Sequence, residues 1–207
     1  MSLEQEIKMV VDQQVELDLP ALSWLAELLE TAPVRVHLLS TYFDTPDRAL
    51  QQFGVGLRLR QIDEQWLQTV KSSGQARNGL HQRKEWEHAL NGPEFDVSLL
   101  KQTDLAPLLE NAEIWSEIEP VFTTEFDRQV LPLLLADGTR VEMAYDRGEV
   151  RAGRKRATIH EIELELKQGK LKTLQDLAGR LKTALPLQYS DLSKAGQGYA
   201  LSQDTEK

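Results

Sequence analysis

Glu161, Glu163 and Glu165 recur at every second position, and Glu4, Glu6 and Lys8 repeat that spacing near the start of the chain. On a β-strand, side chains two apart share a face. Each trio therefore sets full charges side by side, and like charges so placed cost stability. Cations set among them offset that cost, either lysines and arginines from other strands or divalent metal ions. Carboxylate oxygens are the donors that Mg²⁺ and Mn²⁺ prefer. The same spacing puts Arg58 with Arg60, Thr69 with Lys71, Arg83 with Glu85 and Glu87, and Glu142 with Asp146. Cations that grip phosphoryl oxygens, next to carboxylates that hold metals, are the parts phosphoryl transfer needs. That chemistry is mainly charge neutralisation and in-line positioning. An attacking water needs a metal or a base to activate it.

The elements that must carry these faces follow from periodicity. Period-two runs predict strands over residues 5–11, 37–43, 56–61, 65–71, 82–90, 125–131, 139–147 and 158–167. In several of the charged runs the opposite face is apolar, as in Ile7 and Met9, Leu57 and Leu59, or Ile162 and Leu164. Helical spacing predicts a helix over 19–31, one or two short helices over 97–109 with Asp104 as a cap, a helix over 171–184 ending before Pro186, and a short tail segment over 190–201. Turns fall at Thr45-Pro46-Asp47, where Asp44 can cap, at Asn91-Gly92-Pro93 and at Asp137-Gly138. Many strands with few helices between them define an α+β chain built on a large antiparallel sheet or barrel. A closed barrel of about eight strands has room inside for side chains and a small ligand. With the charged faces inward, the apolar faces point outward and the helices cover them.

The bulk composition bounds the rest. The chain has 207 residues, 41% hydrophobic and 28% charged, which suits one globular domain. It has no cysteine, so disulfides and thiolate metal sites are excluded. A net charge of −9 argues against nucleic acid as a partner. Neither an apolar leader nor a membrane-length apolar stretch is present, so the expectation is a soluble, cytoplasmic protein. His37, His81, His88 and His160 show no metal-ligand spacing and read as structural or exposed. Trp66 and Trp86 read as packing anchors. No Gly-Lys-Ser or Gly-Lys-Thr follows Gly54-Val55-Gly56, and no Gly-x-Ser-x-Gly occurs, so phosphate-loop and serine-hydrolase chemistry have no motif.

Eight ordered elements resemble the CYTH family, the triphosphate tunnel metalloenzymes. They are Glu4-Gln5-Glu6-Ile7-Lys8, Tyr42-Phe43-Asp44-Thr45, Leu57-Arg58-Leu59-Arg60, Thr69-Val70-Lys71, the segment from Arg83 through Glu85 to Glu87, Phe126-Asp127-Arg128, Glu161 through Glu165, and Ser193-Lys194 followed by Gly198-Tyr199. The resemblance spans residues 3–201 and implies one triphosphate tunnel domain over 1–201 with a tail over 202–207. It implies a closed eight-stranded antiparallel β-barrel with helices packed outside. It also implies that Lys8, Arg58, Arg60, Lys71, Arg83, Arg128 and Lys194 grip a triphosphate. Glu4, Glu6, Glu161, Glu163 and Glu165, with Asp146 beside them, would hold Mg²⁺ or Mn²⁺. Glu85, Glu87 and Glu142 would support, and Lys8, Glu6 and Glu163 would carry turnover. Within the family the resemblance is to bacterial inorganic triphosphatases, implying hydrolysis of triphosphate to pyrophosphate and orthophosphate. A nucleoside- or thiamine-triphosphatase, a class IV type adenylyl cyclase, or a non-catalytic polyphosphate-binding module are the alternatives. In such proteins a histidine-rich helical CHAD domain often follows, and this chain contains none. Lysines crowded by cations have lowered pKa values, which would favour an alkaline optimum.

Overall fold

The computed structural model of the protein describes residues 1–203; positions 204–207 of the expected tail lie outside the described residues. Ten strands are present: β1 (Ser2–Val11), β2 (Val34–Asp44), β3 (Val55–Ile62), β4 (Gln65–Ser72), β5 (Gln75–Arg77), β6 (Leu80–Leu90), β7 (Glu119–Leu134), β8 (Arg140–Ala152), β9 (Lys155–Gln168) and β10 (Leu187–Tyr189). Seven α-helical segments join them: α1 (Ser23–Ala26), α2 (Ala49–Phe53), α3 (Val97–Leu100), α4 (Ala106–Leu109), α5 (Ala112–Ser116), α6 (Leu171–Ala184) and α7 (Lys194–Gln203). The strands run β10-β1-β9-β8-β7-β2-β3-β4-β6-β5, and β1 also pairs with β6. That second pairing closes eight strands into an antiparallel barrel, as expected, with β5 and β10 as short appendages.

Alternation explains which faces point where. On β9, Ile162 and Leu164 face outward and are wholly buried beneath Leu174, Leu177, Ala178 and Leu181 of α6. Those four recur at three- and four-residue steps, the apolar stripe of an amphipathic helix. The helix stops as expected before Pro186, whose ring drives Leu185 into an extended conformation. A second outer cluster packs Leu57, Val70 and Trp86 under Leu50, Leu100 and Leu105. Each fully buried leucine contributes about 1.5–3 kcal/mol. The outward faces thus carry much of the fold's stability, leaving the inward faces free to carry charge.

The interior is not charged throughout, however. Phe122 and Phe126 share the inward face of Arg128, and Val150 shares that of Asp146. With Leu38, Ile159 and Tyr199 they form an apolar cluster inside the barrel. Helix α7 packs against β7, β8 and β9 there and fills that sector.

Two local expectations are corrected. The segment 19–31 is not one helix. A single 3₁₀ turn at Leu19–Ala21, capped by Asp18, gives way to α1, and then Leu29 bridges Leu133 while the Leu134 amide donates to the Leu28 carbonyl. Its apolar residues sit on the core, but strand β7 takes the backbone pairing that a helix would have used. Over 97–109 two short helices form, yet Asp104 caps neither; it pairs with Lys84, and Asp96 caps α3 instead. Over 190–201 the expected short segment is taken up mostly by α7, and β10 lies just before it.

Gly148 makes one close approach. A Cβ there would lie 2.1 Å from the Glu125 carbonyl oxygen and 2.4 Å from Phe126 Cβ. Gly148→Ala is expected to cost about 1–3 kcal/mol by overpacking β8 against β7, read as a lower urea midpoint. Among the described residues no helix is long and apolar enough to cross a membrane.

Candidate active site in the barrel cavity

The inward charges enclose a cavity of about 710 Å³. Its lining reaches both barrel ends, from Ser2, Glu142 and Lys167 at one to Val55, Gly56 and Ser72 at the other. Register brings the expected trios together, since β1 pairs with β9 so that Glu6 faces Glu165 and Lys8 faces Glu163. β1 also pairs with β6, where Glu4 faces Arg83.

Two groupings emerge. In the first, Glu4 accepts from Lys71 Nζ at 2.7 Å and Arg83 Nε at 2.6 Å, while Arg83 Nη2 donates to Glu6 Oε1 at 2.8 Å. Burial would raise the Glu4 pKa, but Lys71 and Arg83 outweigh it and hold the carboxyl down at about 2. Glu6 goes the other way. Burial and then the neighbouring Glu163 carboxylate push it up to about 7, against the pull of Arg83. Glu4 takes the larger share of the cations, and Glu6 keeps only the bond from Arg83 Nη2.

The second grouping surrounds Lys194, the first residue of α7, for which Ser193 Oγ accepts from the Gly196 amide as a cap. Its ammonium lies 2.7 Å from Asp146 Oδ2 and 2.8 Å from Glu163 Oε1, and it also touches Glu161. Arg128 donates to Asp146 and Glu163, and Lys8 pairs with Glu161 at 2.7 Å. Burial raises the Glu163 pKa, but Lys194, Arg128 and Lys8 together hold it well below the carboxylate range. Burial alone would lower Lys194, yet Asp146, Glu161 and Glu163 hold its proton far more firmly than an ordinary lysine. The expected lowering of crowded lysines is therefore reversed here, and at Lys167 too, where Glu165 and Glu142 overcome burial. Arg60 is brought down, to about 9, by burial and by Arg58 and Arg128.

Oxygens of Asp146, Glu161 and Glu163 all lie within 4.8 Å of one another. Buried hard oxygen donors at that spacing fit Mg²⁺ or Mn²⁺. Glu161 Oε1 is buried against the Lys194 ammonium, so a metal ion held there would take that cation's place.

The remaining expected residues line the same cavity without joining that cluster. Arg58 donates to Thr69 and approaches Glu87, and Arg60 donates to Ser40. Glu85 lies 3.2 Å from Lys71. Glu165 turns to Lys167 at 2.7 Å and Glu142 lies 3.9 Å from the same ammonium, so these three form the rim at one end. Lys167 continues the period-two spacing of Glu163 and Glu165, which puts it on their face. None of the four histidines joins the carboxylate cluster. His81 bonds the Ser190 carbonyl, His160 bonds Tyr145, His37 bonds Asp127 and His88 bonds Gln68.

A closed barrel with this interior matches what the sequence resembled. The sequence matches the CYTH domain over residues 2–199, and the chain belongs to the CYTH family. It is 32% identical over 199 residues to an inorganic triphosphatase of Haemophilus influenzae, covering 96% of this chain and 54% of that protein. The chain thus spans about half the length of that relative. Its fold resembles that of HpAC1 from Hippeastrum, an adenylyl cyclase by name whose structure is described with a dominant triphosphatase activity. The TM-score is 0.67 at 20% identity, over 99% and 97% of the two chains. It also resembles the PH1819 protein of Pyrococcus horikoshii, with a TM-score of 0.52 at 16% identity over 99% of both chains.

Proposed function

We propose that this chain hydrolyses inorganic triphosphate to pyrophosphate and orthophosphate with a divalent metal ion. The observation that carries the reading is the placement of Asp146, Glu161 and Glu163 within 4.8 Å of one another, with Glu163 opening onto the cavity that Arg58, Arg60, Lys71, Arg83, Arg128 and Lys194 line. The Haemophilus influenzae relative, an inorganic triphosphatase by name, supports it. Asp146, Glu161 and Glu163 would hold Mg²⁺ or Mn²⁺, with Glu4 and Glu6 next to them. When bound, the ion neutralises phosphoryl oxygens and makes water a better nucleophile. The chain's own part is to bind and orient. Arg58 and Arg60 are fixed by Thr69 and Ser40 and present a rigid cationic wall to the phosphate chain. Lys71, Arg83 and Arg128 offer charge that is now shared with carboxylates. Glu6, with a pKa of about 7, can take or hold a proton near neutral pH.

The lining favours an inorganic triphosphate over a nucleotide. Tyr42, His81 and Tyr199 are the ring-bearing residues on the cavity, and each is at most 8% exposed. None offers an open face on which a base could stack.

Phosphate release from inorganic triphosphate and from ATP, with Mg²⁺ or Mn²⁺, tests this. Turnover of inorganic triphosphate is expected to exceed that of ATP at least about tenfold and to vanish on adding a chelator. Equal or faster turnover of ATP, cyclic nucleotide formation, or full activity in chelator would overturn it.

A further inference from the structure

Asp44, at the end of β2, is completely buried. Its two oxygens accept from the backbone amides of Thr45, Leu50 and Gln51, so it is bound rigidly to the turn into α2. A fourth bond comes from Tyr199 Oη at 2.9 Å, which belongs to α7 on the far side of the chain's sequence. All four of these donors are neutral. A buried carboxylate held only by neutral donors is a costly device for capping one turn.

Helix α7 needs such an anchor. It holds Gly196 and Gly198 within ten residues, and interior glycines weaken a helix. Gly198 is required because a Cβ there would lie 2.2 Å from the Phe122 ring, against which Tyr199 also packs edge-on at 5.2 Å. Besides its apolar packing and the Gln197 Nε2 bond to the Thr158 carbonyl, α7 is held by Lys194, through Asp146, Glu161 and Glu163. A metal ion would engage those carboxylates and a triphosphate would engage the ammonium, so that hold is exchanged whenever the cavity fills. The Tyr199–Asp44 bond touches none of them. It lies five residues along the helix from Lys194, about 7.5 Å of axial rise.

We propose that Asp44 and Tyr199 are positioning residues: a latch that fixes α7 while the ion pairs of Lys194 are broken, so that its ammonium stays on the phosphate path. This rests on the reading of Lys194 as a triphosphate-gripping residue. Tyr199→Phe keeps the ring on Phe122 and deletes only the bond. It is expected to lower kcat/KM for inorganic triphosphate about tenfold, the scale of a hydrogen bond to a charged group, and to speed hydrogen exchange of the α7 amides while leaving β8 and β9 protected. In a Lys194→Gln background, or Lys194→Met if that chain does not fold, the same substitution should change kcat/KM little. An equal loss in both backgrounds overturns the latch, as does wild-type turnover of Tyr199→Phe. If Lys194→Gln alone turns over like wild type, it is the reading of Lys194 that fails. Exchange then decides the latch, and unchanged α7 protection in Tyr199→Phe overturns it.

Discussion

Glu6→Gln is expected to lower metal-dependent phosphate release about a thousandfold, the scale of losing several kcal/mol of charge stabilisation, while making the metal-free protein more stable above pH 7. The two effects share one cause. Burial and the neighbouring Glu163 carboxylate lift the Glu6 pKa from 4.5 to about 7. The folded chain therefore keeps a proton there that the unfolded chain gives up. A raised acid pKa contributes stability fully below 4.5 and loses it as pH rises to 7. Above that, the wild type holds a buried, poorly compensated negative charge, which glutamine removes without changing shape. The stability gain is bounded at roughly 3 kcal/mol. Thermal unfolding of both proteins from pH 5 to 8, without metal, should show curves that diverge with rising pH. Parallel curves would refute the placement of Glu6 as the least compensated carboxylate.

Lys194→Gln is expected to destabilise the metal-free protein by about 3–5 kcal/mol, the usual cost of deleting one partner of a buried ion cluster. The ammonium sits 2.7 Å from Asp146 and 2.8 Å from Glu163 and touches Glu161, and it is 7% exposed. Its removal leaves Asp146 and Glu163 only Arg128, and Glu161 only Lys8. Mg²⁺ or Mn²⁺ should then restore more stability to the variant than it adds to the wild type, because it enters a site with one competitor fewer. Chemical denaturation with and without the ion measures both. No extra stabilisation in the variant would place the metal elsewhere in the cavity.

The sequence made some of this legible and left some of it dark, for identifiable reasons. Glu161 and Glu163 could be set inside because period-two alternation fixes faces wherever Ile162 and Leu164 demand burial. Alternation does not say which inward carboxylates meet. Glu165 shares their face but turns to Lys167 at the rim, whereas Asp146 joins them because β8 pairs with β9 in the register that sets it opposite Glu161. The leucines of 19–31 have helical spacing, and they are used as core, but pairing with β7 overrides the helix. The apolar sector around Phe122 and Phe126 was hidden because their strand also carries Thr124 and Arg128 on the same face, giving no clean stripe. Asp44 read as a turn cap and is one; its bond to Tyr199 joins residues too far apart in sequence for any local pattern to show.

The seam that closes the barrel runs through β1, which pairs with β6 on one side and with β9 on the other. β9 begins at Lys155, so every strand from β1 to β8 leaves synthesis before β1 can be enclosed. Such distant partners make ring closure a late event. Until then the acidic and basic side chains are ordinary hydrated ions with ordinary affinities. Their unusual proton and phosphate chemistry is a property of the finished ring, and a partly folded chain has none of it to misuse.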